Sequence, residues 1–230
     1  VKWRVPLPNT GQSAAIVSGG RIFVTSHEPI EADTEFGTGI LGMCFDARTG
    51  KELWRRPIPG TRTTDLSSLF NDNTAYSPVT DGKRVFISGG WPKNHTMAVE
   101  ADGSGEVAWQ NTARVYVPSM LVKGDQLYAT MDAGFAVCWD SATGKERWKE
   151  RLGGAFFASP VLAGNRIYAT NLAGKSYVFS TDPKEFKLLA TNQLGEEMYA
   201  SPVISGSRLY LRVTAKRGGR QEWLYCIGRN

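Results

Sequence analysis

A five-residue word, Gly-x-x-apolar-aromatic, recurs along this chain and limits what it can fold into. It occurs as Gly19-Gly20-Arg21-Ile22-Phe23, Gly82-Lys83-Arg84-Val85-Phe86, Gly124-Asp125-Gln126-Leu127-Tyr128, Gly164-Asn165-Arg166-Ile167-Tyr168 and Gly206-Ser207-Arg208-Leu209-Tyr210. The first glycines lie 63, 42, 40 and 42 residues apart. A glycine at a tight turn followed by an apolar-aromatic pair is the start of a hairpin strand, and repetition at this period means an array of like units. Five residues before each glycine stands a small residue, Ala14, Ser77, Ser119, Ser159 or Ser201, which suits a crowded inner strand.

A second word closes each unit. Asp46-Ala47-Arg48-Thr49-Gly50-Lys51-Glu52-Leu53-Trp54 matches Asp140-Ser141-Ala142-Thr143-Gly144-Lys145-Glu146-Arg147-Trp148 at identical spacing. A looser copy runs from Glu100 to Trp109, and a copy between Ser180 and Ala190 lacks the Trp. Asp and Thr-Gly are turn chemistry, because a short polar side chain caps the turn and Gly takes the left-handed position. Each Trp is expected to pack on the neighbouring unit.

Together the two words predict an all-β fold of four-stranded blades A to D, a β-propeller. The blades fall at about 13–58, 74–112, 116–152, 157–194 and 199–230, making one domain of 1–230. A two-sheet sandwich does not predict a Trp at a fixed distance before a Gly. The last blade lacks strand D, and residues 2–7 read as an orphan strand D, with Trp3 as far before Gly19 as Trp148 is before Gly164. The sequence therefore predicts five blades, the last completed by the N-terminal strand. The alternative is that the five are part of a larger propeller.

The net charge of +5 is spread along the chain, and Lys216, Arg217 and Arg220 make the one dense basic spot. Nucleic acid is not the expected partner, since its binders carry a basic stripe with interleaved aromatics. No apolar run reaches the ~18 residues of a membrane span. The chain starts at Val1 rather than Met, which leads us to expect a secretory signal already removed.

The Asp-x-x-Thr-Gly-Lys-Glu-x-Trp segments at 46–54 and 140–148, with the Ser-Pro-Val…Gly-x-Arg-apolar-Tyr segments at 159–168 and 201–210, resemble the pyrroloquinoline-quinone-like (PQQ-like) propeller repeat family. That resemblance covers nearly the whole chain and implies a propeller working outside the cytoplasm, periplasmic or secreted. The family includes quinone-dependent dehydrogenases, the non-enzymatic lipoprotein of the outer-membrane β-barrel assembly machine, and secreted bacterial proteins. Its dehydrogenases hold a quinone and Ca²⁺ beneath a disulfide of two adjacent cysteines, and this chain has no Cys-Cys pair. A quinone- or metal-dependent oxidoreductase is the second reading. The first is a non-catalytic scaffold with no catalytic residues and no cofactor or metal.

The three cysteines, Cys44, Cys138 and Cys226, occupy one repeated position that is Ala98 and Val178 in the other units. Small apolar residues at one position mean packing, so these are expected to be buried free thiols. The two histidines, His27 and His95, fall in connections after strand B of the first two blades. A metal site uniting them with a carboxylate is conceivable, and surface loop positions are the plainer reading. There is no Gly-x-Ser-x-Gly elbow and no phosphate loop.

Topology supplies the remaining expectation. The A–B and C–D turns are short, whereas insertions at 26–39, 60–73, 89–95 and 213–221 all join B to C or D to A. These connections share one face, and long loops on a rigid scaffold are where binding resides. The candidate binding residues are Trp91 and His95 on the insertions, with Asn73, Tyr76, Arg114, Tyr116, Phe156, Phe157, Met198 and Tyr199 just before the A strands. Aromatics with an Arg suit a protein or peptide partner.

Overall fold

In the computed structural model the described residues are 5, 8, 16–27, 39–58, 77–89, 94–205, 208–215 and 221–228. Their strands form five antiparallel sheets in chain order. Sheet 1 holds β1 (Ile16–Ser18), β2 (Arg21–His27), β3 (Ile40–Asp46) and β4 (Glu52–Pro57). Sheet 2 holds β5 (Val79–Thr80), β6 (Arg84–Gly89), β7 (His95–Glu100) and β8 (Val107–Asn111). Sheet 3 holds β9 (Leu121–Lys123), β10 (Gln126–Met131), β11 (Phe135–Asp140) and β12 (Glu146–Arg151). Sheet 4 holds β13 (Val161–Ala163), β14 (Arg166–Thr170), β15 (Lys175–Ser180) and β16 (Leu188–Gln193). Sheet 5 holds β17 (Val203–Ser205), β18 (Arg208–Ala215) and β19 (Gln221–Gly228). The sheets fall into two compact units, residues 1–116 with 141–144, and residues 117–140 with 145–230.

The register explains the repeated words. The aromatic of strand B, the small residue of strand C and the Trp of strand D form one row across each sheet. Phe23 pairs with Cys44 and Cys44 with Trp54; Phe86 pairs with Ala98 and Ala98 with Trp109; Tyr128 pairs with Cys138 and Cys138 with Trp148. Strands two apart in a sheet are separated by about 9.6 Å. The ring centroids in these rows lie only 6.2, 5.9 and 6.1 Å apart. The two rings lean toward each other over the strand C residue, which leaves room for Cys or Ala and little more. A register shift follows the row in each of the four C–D pairs, at Cys44/Phe45, Ala98/Val99, Cys138/Trp139 and Val178/Phe179. Such bulges increase the local twist of the outer strand.

Strand C is covered on both faces and is nearly continuously buried, as in Ile40–Asp46. Strand D is the outer edge. In β12, Glu-Arg-Trp-Lys-Glu-Arg, Trp148 is buried between exposed charges. Charges along an exposed edge discourage pairing with another chain. The inner strands are joined differently. The Ser119 amide donates to Ser159 Oγ and the Ser159 amide to Ser201 Oγ, each at 2.9 Å. Those are three of the small residues before the repeated glycines.

Three tryptophans meet the following sheet in different ways. Trp148 donates its indole N–H to Asp182 O at 2.9 Å and meets the Phe186 ring edge-on at 5.3 Å. Trp109 donates to Ser141 O at 2.8 Å. A Cβ on Gly144 would come within 2.6 Å of the Trp109 ring, and Gly144 also has φ +69°, so both space and backbone demand glycine there. Trp54 Nε1 is buried with no hydrogen-bond partner among the described residues. Arginines of sheet 1 bind carbonyls of the sheet 2 turn, Arg21 to Asp102 O at 3.0 Å and Arg56 to Ser104 O at 3.4 Å.

Candidate functional site

Antiparallel order A-B-C-D puts the A–B and C–D turns at one end of each sheet and the B–C and D–A connections at the other. The first end is turn chemistry. Asp46 Oδ1 accepts from the Thr49 amide and hydroxyl, both at 2.7 Å, and from the Arg48 amide at 3.1 Å. The Thr49 bonds, with smaller help from Arg48, hold the Asp46 carboxyl below its usual range. Asp102 is lowered in the same manner, chiefly by hydrogen bonds from Ser104. These exposed carboxylates shape turns and face no buried partner.

The second end carries the long connections. Strand ends place them between His27 and Ile40, between Pro57 and Val79, between Gly89 and His95, and between Ala215 and Gln221. Most of these residues, with Asn73, Tyr76 and Trp91 among them, lie outside the described residues.

The short segments before the A strands are fixed in place by buried polar groups. In sheet 2, Ser88 Oγ donates to His95 O at 3.0 Å and accepts the Val115 amide at 3.2 Å, while Thr96 Oγ1 donates to Ala113 O at 3.1 Å. In unit 2, Asn171 Nδ2 donates to Gly153 O at 3.1 Å, Tyr177 Oη to Leu152 O at 2.6 Å, and the Leu172 amide to Ala155 O at 2.7 Å. Asn171 is itself buried. The sequence reading passed over Ser88, Thr96 and Asn171; a small polar residue inside an otherwise apolar strand or turn was their signal.

These segments present their residues unequally. Arg114 and Tyr116 are half-buried, with the guanidinium 4.5 Å from the ring centroid. Phe156 is fully buried against Tyr177, with centroids 5.9 Å apart, and Met198 is buried with Leu211 and Val213. Their neighbours point outward: Tyr199 is 51 % exposed, and its ring lies 6.1 Å from that of half-buried Phe157. Extended backbone alternates sides, so one residue of each pair goes to the core and the other to the surface.

His95 departs from the expectation of a loop histidine. It opens β7 opposite Gly89 and is 2 % exposed. A Cβ on Gly89 would collide with the imidazole, so the glycine supplies the space that the ring occupies. His27 ends β2, and its side chain is outside the described set. Cys44 and Cys138 are buried free thiols. Burial pushes Cys44 up to about 11 and Cys138 up to about 12, which suppresses the reactive thiolate. No group of three or more His, Cys, Asp and Glu suited to a metal ion occurs among the described residues.

With this geometry in hand, three comparisons bear on the chain. The profile of the family described as outer membrane protein assembly factor BamB, a PQQ-like repeat family, matches residues 34–150 and 93–185. The serine/threonine-protein kinase AfsK of Streptomyces griseus is 32 % identical over 125 residues, 51 % of this chain, and the chain matches only 14 % of that protein's length. Among solved structures, BamB from Moraxella catarrhalis superposes with a TM-score of 0.58 at 13 % identity, covering 97 % of this chain and 75 % of that one. A europium-containing methanol dehydrogenase aligns with 51 % of this chain and 24 % of its own at a TM-score of 0.44 and 16 % identity, too distant to draw on.

Proposed function

The chain belongs to the PQQ-like β-propeller repeat family of the outer membrane protein assembly factor BamB, and on that premise we propose that it is a binding scaffold that captures a protein or peptide partner on its insertion-bearing face. It is a non-catalytic propeller scaffold of the BamB-like type, periplasmic or secreted. The observation that carries the partner-binding reading is the placement of the long connections. They join B to C or D to A strands, while the opposite sheet ends close in short turns. At that end of its sheets unit 1 carries half-buried Arg114 and Tyr116, and unit 2 carries half-buried Phe157 and exposed Tyr199, each on backbone that buried side chains pin in place. Rigid aromatics with an Arg bind with little loss of side-chain entropy. Asn73, Tyr76 and Trp91 belong to the same face by their place in the repeat.

The repeat reads as five blades of one domain, 1–230, with residues 2–7 supplying the strand D that the last sheet lacks. Support comes from Val5, which packs on the strand C residues Leu41, Met43 and Phe45 of sheet 1. The corresponding strand C residue Phe179 of sheet 4 receives Trp148 from the strand D before it. The kinase match covers 14 % of that protein, so it speaks for the repeat and lends no kinase chemistry.

Affinity capture from an envelope extract tests the face. Shortening the 28–38 and 59–76 connections, or changing Phe157 and Tyr199 together to Ala, should abolish recovery of a partner held by the intact chain. Unchanged recovery would overturn the assignment. Deleting residues 1–8 should lower the thermal midpoint if they close the ring.

A further inference from the structure

Between sheets 1 and 2 lies a cavity of about 210 Å³, lined by Trp54, Ile58, Ile87, Met97, Val99 and Val107, with Gly42, Gly105 and Arg56 beside them. The corresponding space between sheets 3 and 4 is filled, and the register identifies the filler. Val99 pairs with Val107 as Phe179 pairs with Leu188, so Val99 corresponds to Phe179 and Met97 to Tyr177. Two residues before each strand D partner stand Gly105 and Phe186. On the preceding sheet, Gly42 corresponds to Ala136, each two residues before the row cysteine. All four replacements are toward less volume. Between sheets 3 and 4 the Phe186 ring sits 5.3 Å from both Trp148 and Phe179. Between sheets 1 and 2 nothing in the described chain takes its place.

The vacancy therefore has the dimensions of an aromatic ring, and an apolar cavity of about 150 Å³ suffices to hold benzene. One wall carries a cation. Arg55 is paired with Glu52 at 2.7 Å, but no carboxylate pairs with Arg56 among the described residues. Among the described residues Arg56 Nη2 makes one long bond, 3.4 Å to Ser104 O, and its stem lies over Gly105. A guanidinium beside an aromatic-sized apolar cavity matches a ligand with a ring at one end and a carboxylate at the other.

We propose that the cavity between sheets 1 and 2 binds a small aromatic acid, its ring between Trp54, Met97 and Val99 and its carboxylate on Arg56. The assignment is independent of the partner-binding face, because it involves different residues and a free small molecule.

Phenylacetate is the probe, with toluene and acetate as half-molecule controls, observed through the methyl NMR signals of Ile58, Ile87 and Met97 in the full chain. Phenylacetate should shift these signals saturably. Both controls should bind at least about tenfold more weakly, as should phenylacetate to Arg56→Gln, the expected scale for a charge-assisted bond. Val99→Phe, which installs the residue of the filled interface, should abolish the shifts. Arg56→Gln changes an exposed side chain and keeps the test valid should Val99→Phe fail to fold. No saturable shift by about 10 mM, a millimolar ligand being already weak, would overturn the proposal. So would toluene binding as tightly as phenylacetate, or an Arg56→Gln affinity equal to that of the parent. Tighter binding of a peptide ending in phenylalanine would overturn the free-acid assignment in favour of a partner's chain end.

Discussion

The interface between sheets 3 and 4 and that between sheets 1 and 2 are built from the same repeated word, and they end in opposite states. In the first, Trp148 bonds a turn carbonyl and packs against Phe186 and Phe179. In the second, arginines hold the turn carbonyls, Trp54 Nε1 is left without a described partner, and a cavity remains. The lesson is that the Trp of the repeat does not by itself make a tight contact. What decides is the residue four places before the strand D row position on the next sheet, Phe186 in one case and Gly105 in the other, together with strand C.

That contrast can be broken experimentally. Trp148→Ala should cost about 3–5 kcal/mol in urea unfolding, the usual penalty for truncating a buried aromatic. Trp54→Ala should cost about half as much, because its surroundings are already incomplete and its indole N–H forfeits no described bond. Equal penalties would mean that the two interfaces do not differ in energy. Phe186→Gly should convert the filled interface into a hollow one at roughly 3 kcal/mol, with the lost methyl and ring contacts visible at Leu162 and Phe179. Filling the hollow interface, by Val99→Phe, should raise stability by up to about 1 kcal/mol, as cavity-filling changes do. A loss of 1–3 kcal/mol instead, the scale of overpacking, would show the cavity too small for a ring.

A further effect concerns pH. The thiols of Cys44 and Cys138 ionise near 9.0 when unconstrained and are raised by burial to about 11 and about 12 in the fold. Above 9.0 the unfolded chain sheds these protons while the fold retains them, so stability declines with rising pH through that window. Cys44→Ala and Cys138→Ala should each flatten the decline between pH 9 and 11, measured by urea midpoints. Neither thiol should react appreciably with iodoacetamide at pH 8 in the folded chain.

Much of this was legible in the sequence. The Gly-x-x-apolar-aromatic and Asp…Trp words gave the strand order of each sheet because turns and edge anchors depend on local residue type. The equivalence of Cys44, Ala98 and Cys138 already pointed to a packing position, and the register supplies the reason: rings lean in from both sides. The cavity was not legible. Met97 and Val99 are ordinary apolar strand residues, and their smallness matters only against Tyr177 and Phe179 at the same places in another sheet. A short connection precedes His95 and makes it look like a loop residue in the sequence; the clue to its burial is Gly89, which faces it across the strands. Phe156 and Met198 were grouped with Phe157 and Tyr199, although alternation along extended backbone sends neighbours to opposite sides.

The serine contacts between inner strands have a consequence for how such chains change length. Each link runs from the amide of one serine to the hydroxyl of its counterpart on the next sheet, Ser119 to Ser159 and Ser159 to Ser201. The linkage is head-to-tail, so a unit carrying such a serine offers the same pair of connectors as its neighbour, whereas Ala14 in the first unit has no hydroxyl to accept with. A duplicated unit carrying its own serine would splice into the series without a new interface, and a deleted one would leave matching ends behind. Gain and loss of whole units is then an easy genetic step, while loss of a single connector serine interrupts the series.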